Sequence, residues 1–177
     1  MDDPKLIFNN AKSYLNFIGS FPRTSVPTAG SVMCMTYAFI KNKDFYKLSM
    51  NVRRFFDWQP AVIVLHINTK NKTFVGLNLH HLSVEGRELL ISRLLKVYPK
   101  LDDQPRARVP GLNYVKLLKF LRKSKIGIRC YRWDRIVGGL KFVPGEQLHD
   151  LIAFYANFTY KSNYAQVKKR YDSYRPK

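Results

Sequence analysis

The chain has 177 residues, 46% of them hydrophobic and 14% aromatic, which is enough for one domain with a real core and unlike a disordered basic tail. Its 31 Lys+Arg against 12 Asp+Glu give a formal charge of +19, a balance that predicts attraction to polyanions and excludes nothing about the fold. No run approaches the roughly 20 apolar residues that span a bilayer, the start MDDPKLIFNNAK has acids where a signal peptide needs positive charge, and Cys34 and Cys130 lie too far apart for a zinc ribbon.

Residues 4–18 place Leu6, Ile7, Asn10, Tyr14, Phe17 and Ile18 near one helical face, so a first helix is predicted from Pro4 to Gly19. SFPRTSVPTAGS is a proline-bearing loop, and 31–40 is apolar and β-capable. Residues 41–60 read as a polar turn and a short irregular or helical approach ending at Pro60. AVIVLHIN (61–68) is β-branched and strand-like, TKNK (69–72) a tight polar turn, and TFVGLNLHH (73–81) the returning strand. This hairpin puts Val64 opposite Leu77 and His66 opposite Val75, with His80 at the far end from His66.

Ser83 is a suitable N-cap for the next helix, with Glu85 and Glu88 in its first turns and Leu89, Leu90, Leu94, Leu95 and Tyr98 as its apolar stripe. A linker-like loop at 100–111, with the character of a hinge, leads to an amphipathic helix over 112–125. IGIRCYRW (126–133) alternates as a strand, Gly138-Gly139 breaks the run, and LKFVP returns. Residues 146–158 look helical, and the tail 161–177 carries Tyr164, Val167, Tyr171 and Tyr174 as a helical stripe among basic residues. The expected fold class is α+β: one domain over 1–160, with a small antiparallel sheet around the 61–81 hairpin covered by several helices. An SH3-like barrel core is one form of it.

Catalytic signals are sparse. In a strand His80 and His81 point to opposite faces, and no H-x-x-x-H or H-E-x-x-H spacing is present. Asp57, Glu85, Glu88 and Asp134 are the candidate carboxylates for a metal nuclease, but no pair has diagnostic spacing. Cys34 and Cys130 sit in apolar strand-like surroundings, where an inert thiol is expected. The expectation is therefore a non-enzyme with no cofactor and no metal. In place of a catalytic role, Gly76, Asn78, His80 and Ser83 are read as a structural junction between strand and helix.

Charge is concentrated downstream. Between residues 106 and 141 stand eleven basic residues, Arg106, Arg108, Lys116, Lys119, Arg122, Lys123, Lys125, Arg129, Arg132, Arg135 and Lys141, against one acid, Asp134. Cations around an amphipathic helix and a strand, interleaved with Tyr131 and Trp133, suit phosphate contacts and occasional stacking. Nothing resembles a zinc finger, bZIP or RNP motif, so the expected partner is nucleic acid bound without sequence preference, DNA before RNA. The rival partner is an acidic protein subunit.

Three stretches carry a resemblance. FFDWQPAVIVL resembles the Y-Y-D-x-x-P plus apolar strand of a family of small proteins of large tailed bacteriophages. FVGLNLHHL is similar to that family's G-(L/I)-N-(L/F)-H-Y-L, with His81 at the usual Tyr, and CYRWDRIVGGLKFVP is similar to its late (K/R)-Y-x-x-x-x-(I/V)-x-x-x-x-x-(V/I)-P. The resemblance spans about residues 35–145. It implies a virion-associated or DNA-related phage protein, in the virion or the host cytoplasm, and carries over no catalytic residues. Two rival functions remain: a structural assembly protein of the tail, neck or baseplate, in an oligomer or multi-subunit assembly, and, more remotely, a nuclease using Asp57, Glu85 or His80.

Overall fold

The computed structural model describes residues 16–39, 44, 47, 57–82, 84–101, 103–109, 127–148 and 150–151. They form a six-stranded antiparallel sheet and one long helix. The strands are β1 (Arg23–Thr24), β2 (Val32–Tyr37), β3 (Ala61–Asn68), β4 (Thr73–Asn78), β5 (Ile128–Arg132) and β6 (Ile136–Phe142), and the helix is α1 (Val84–Val97). The strand order is β1-β6-β2-β3-β4-β5. The predicted first helix is described only over 16–19. The helix at 112–125, most of that at 146–158 and the tail 161–177 lie outside the described residues.

The β3–β4 hairpin forms because β-branched residues fill β3 and a polar turn follows. The Asn68 carboxamide oxygen accepts a hydrogen bond from the Asn71 N–H at 3.0 Å, and Lys72 takes a φ of +50°. His66 pairs with Val75, but Val64 pairs with Gly76 and Ile63 with Leu77. The expected Val64–Leu77 pairing is therefore off by one. The ladder shifts between Val64 and His66, where Leu65 is an extra residue.

The sheet rolls up, and its connectivity requires it. β5 and β6 are four strand spacings apart in the order, about 19 Å in a flat sheet. Only Trp133–Arg135, a single 3₁₀ turn, joins them, and it reaches about 6 Å at ~2 Å per residue. The two ends must therefore curl toward each other. At the closure the Arg132 N–H donates to the Tyr37 hydroxyl at 3.3 Å, and the Ala38 N–H to the Arg135 carbonyl at 2.8 Å. The Tyr37 and Tyr131 rings meet edge to face at 5.1 Å.

Side-chain alternation divides the core in two. Inside the roll, Met33, Met35, Val62, Val64, Phe74, Tyr131, Leu140 and Phe142 are buried together, with Phe74 stacked on Tyr131 at 5.2 Å. On the outer face Val32, Cys34, Ala61, Ile63 and Leu77 share a cluster with Leu90 and Leu94 of α1 and with Ile18, Phe21 and Leu148. Leu89, expected in the buried stripe, is 48% exposed, because the side of α1 that is buried runs through Leu90 and Leu94. Cys130, expected to be buried, is exposed; on β5 it is Tyr131 that turns into the roll. Within the 100–111 loop, residues 107–109 are tied to the sheet: Val32 N–H donates to the Ala107 carbonyl, Ala107 N–H to Val143, and Val109 N–H to Gly30, all at 2.8–2.9 Å. The Gly138-Gly139 pair does not break β6; the strand runs through it, with φ of +72° and +85° that glycine alone adopts without strain. No helix among the described residues is long and apolar enough to cross a membrane.

Candidate functional site

Two separate places hold the residues that the sequence singles out: a buried polar junction at the end of β4 and a scattered basic surface.

The junction begins with a strand that stops. β4 ends at Asn78, and Leu79–His81 form a 3₁₀ turn, so the strand alternation expected to split His80 from His81 does not apply. The Asn78 side-chain oxygen caps this turn by accepting the His80 backbone N–H at 2.9 Å. Its amide then donates to Asp57 Oδ2 at 2.6 Å, and His80 Nδ1 donates to Asp57 Oδ1 at 2.9 Å. The carboxylate can only accept, so Nδ1 carries the proton. Asp57 itself has a φ of +51°, a left-handed conformation that Asp tolerates better than most residues.

Electrostatics explain why this charge survives burial. Burial would raise the Asp57 pKa, but the His80 imidazole, its hydrogen bond, nearby His81 and the Asn78 amide outweigh it and hold the carboxyl at about 2. His81 is pushed down to about 3, first by burial and then by the Arg129 guanidinium and His80, against an opposing pull from Asp57. Burial likewise holds the Tyr131 phenol protonated far above its ordinary range. Gly76 belongs to the same corner. A Cβ there would lie 3.2 Å from Val62 Cβ and 3.4 Å from both Ile63 O and Tyr131 Cε2, so glycine permits the close approach of β3 and β5.

An Asp–His pair is a familiar acid–base arrangement, but here the side chains of His80 and Asp57 are 0% and 1% exposed. What the arrangement does is pin the chain before β3 to the end of β4. Ser83, named for the same junction, lies outside the described residues. Among the described residues no three His, Cys, Asp or Glu side chains are grouped to hold a metal ion. Asp134 stands apart from Asp57, paired with Arg132 on the surface.

The basic residues divide by environment. Lys116, Lys119, Arg122, Lys123 and Lys125 lie outside the described residues. Arg106 and Arg108 are exposed and flank buried Ala107. Arg106 stacks over Phe142 at 4.3 Å, and Arg108 donates weakly to the Ala29 carbonyl at 3.4 Å. Arg132 is exposed but engaged in a two-point pair with Asp134, at 3.0 and 2.7 Å. Arg129 and Arg135 are half-buried, Arg129 beside His81 and Tyr131.

Strand pairing also adds a cation that the sequence reading left out. Thr73 pairs with Arg132, and the Trp133 N–H donates to the Lys72 carbonyl at 2.9 Å, which brings exposed Lys72 beside Arg132. Sixty residues separate them in the chain, and no local pattern signals that meeting. Comparison with protein-family models, with curated proteins and with solved structures returns no match for this chain.

Proposed function

We propose that this chain is a non-enzymatic, basic protein of a large tailed bacteriophage that binds DNA through the phosphate backbone without reading sequence. One observation carries this reading: the 106–141 segment sets eleven cations against one acid, and that acid is already spent on Arg132. Exposed Arg106, Arg108 and Lys72 have no carboxylate paired with them among the described residues and suit contacts to a polyanion.

The rolled sheet with a 3₁₀ turn between β5 and β6 supports an SH3-like barrel as the core of the domain. On this reading the Asp57–Asn78–His80 junction holds the barrel together and takes no part in chemistry. The resemblance of three stretches to small phage proteins supports a place in the virion or the host cytoplasm.

The experiment replaces Lys116, Lys119, Arg122 and Lys123 by Ala, with Arg106→Ala/Arg108→Ala as a second variant. Both are expected to weaken binding of a DNA duplex at least tenfold at low salt while the thermal unfolding midpoint stays within a few degrees. Unchanged DNA binding with failed particle assembly would favour a structural protein docked to acidic subunits.

A further inference from the structure

Beside the β1–β6 edge lies a cavity of about 310 Å³ whose walls include Arg23, Lys141, Trp58, Met35 and the Gly138-Gly139 pair. Its origin is legible in the ladder. Met35 pairs with Leu140 but Thr36 pairs with Val137, so Gly138 and Gly139 have no partner on β2 and bulge outward. A Cβ built on Gly138 meets nothing within 4 Å, which leaves one wall open.

Charge in this recess is unbalanced. Arg23 and Lys141 are direct cross-strand partners, an arrangement in which like charges repel. Lys141 is half-buried and its Nζ donates to the Ile18 carbonyl at 2.9 Å. Burial and then Arg23 both press on its charge. Among the described residues no carboxylate lines the cavity. Half-buried Trp58 and buried Met35 also line this space.

Two crowded cations and an indole lining one space, at the lower end of the ~300–1,000 Å³ typical of ligand sites, suit a ligand that is anionic at one end and planar at the other. We propose that this cavity takes one unpaired nucleotide of single-stranded DNA, with its phosphate on Arg23 and Lys141 and its base against Trp58. The inference rests on the DNA-binding reading above and gives it a strand preference. A duplex presents phosphates but no free base, so it meets the basic surface and not the pocket. Aromatic stacking of one base contributes on the order of tenfold in affinity.

The test measures binding of a labelled dT decamer and of a duplex of equal length at matched salt. Wild type is expected to hold the single strand about tenfold more tightly. Trp58→Ala is expected to abolish that preference while duplex affinity stays, and Arg23→Gln to lower single-strand affinity severalfold. Trp58→Phe, which keeps most of the packing, replaces the alanine variant if that one fails to fold, and is expected to keep part of the preference. Equal binding of both DNAs by wild type, or a preference untouched in the Trp58 and Arg23 variants, overturns the pocket and leaves the basic surface standing. Binding of neither DNA overturns both.

Discussion

His80 Nδ1 lies 2.9 Å from Asp57 Oδ1, with both side chains sealed from solvent and 23 residues apart in the chain. A buried carboxylate is tolerated only when it is hydrogen-bonded, so removing His80 strands the Asp57 charge in the core, and removing Asp57 leaves the buried imidazole N–H without its acceptor. Asp57→Ala or His80→Ala should each cost about 3–5 kcal/mol. In a domain of this size that lowers the melting midpoint by roughly 10 °C. A thermal melt by circular dichroism checks it, and the double variant should cost much less than the two single costs added together.

Acid should unfold this protein in two stages. His81 is held at about 3 in the fold and lies at 6.5 when free, so the unfolded chain binds more protons between those values. Its contribution is complete above pH 6.5 and is lost as pH falls toward 3, a change on the order of a few kcal/mol. Asp57, held at about 2 against 3.8, contributes above pH 3.8 and loses that contribution as pH falls through 2. Urea midpoints across pH should fall below 6.5 in the wild type, and His81→Tyr should flatten the curve between pH 6.5 and 4.

Gly76 and Gly138 should respond to alanine for different reasons. At Gly76 the new methyl meets Val62, Ile63 and Tyr131, an overpacking expected to cost about 1–3 kcal/mol. At Gly138 the space is empty and only the φ of +72° resists, at about 1 kcal/mol. Chemical denaturation should rank Gly76→Val below Gly76→Ala and both below Gly138→Ala.

Thiol chemistry reports the facing of two strands. Cys130 is exposed on β5 and Cys34 is buried on β2. A thiol reagent should label one cysteine quickly in the native protein and the second only after unfolding, and Cys130→Ser should remove the fast phase.

Much of the sheet was legible because β-branched runs and polar turns are local signals. The 61–81 hairpin and the strand around 128–132 follow from such patterns, whereas the last strand was expected only from Leu140, after a break at Gly138-Gly139 that β6 in fact runs through. The one-residue slip at Val64 was not legible, since Leu65 looks like any other strand residue until its partner is known. Nor was the Asp57–His80 contact, which depends on a loop residue at positive φ meeting a 3₁₀ turn across the sheet. Asn78 and His80 could be placed at a junction from sequence, but their shared partner could not. The same limit hid Lys72 beside Arg132 and Arg23 beside Lys141, pairs that exist only through strand register.

Arg132 offers a gain-of-function check. Its guanidinium is held by Asp134, which also keeps that carboxyl below its ordinary range. Asp134→Asn should free one cation, raise DNA affinity severalfold at low salt and steepen the salt slope by about one.

The most direct measurement is the salt dependence of DNA binding by the unmodified protein, taken from 50 to 300 mM. With roughly ten phosphate contacts the plot of log K against log salt should be linear with a slope near −9, so affinity collapses within that range. A flat plot, or no binding to DNA at the lowest salt, would contradict the proposal that this basic surface is built for the nucleic-acid backbone.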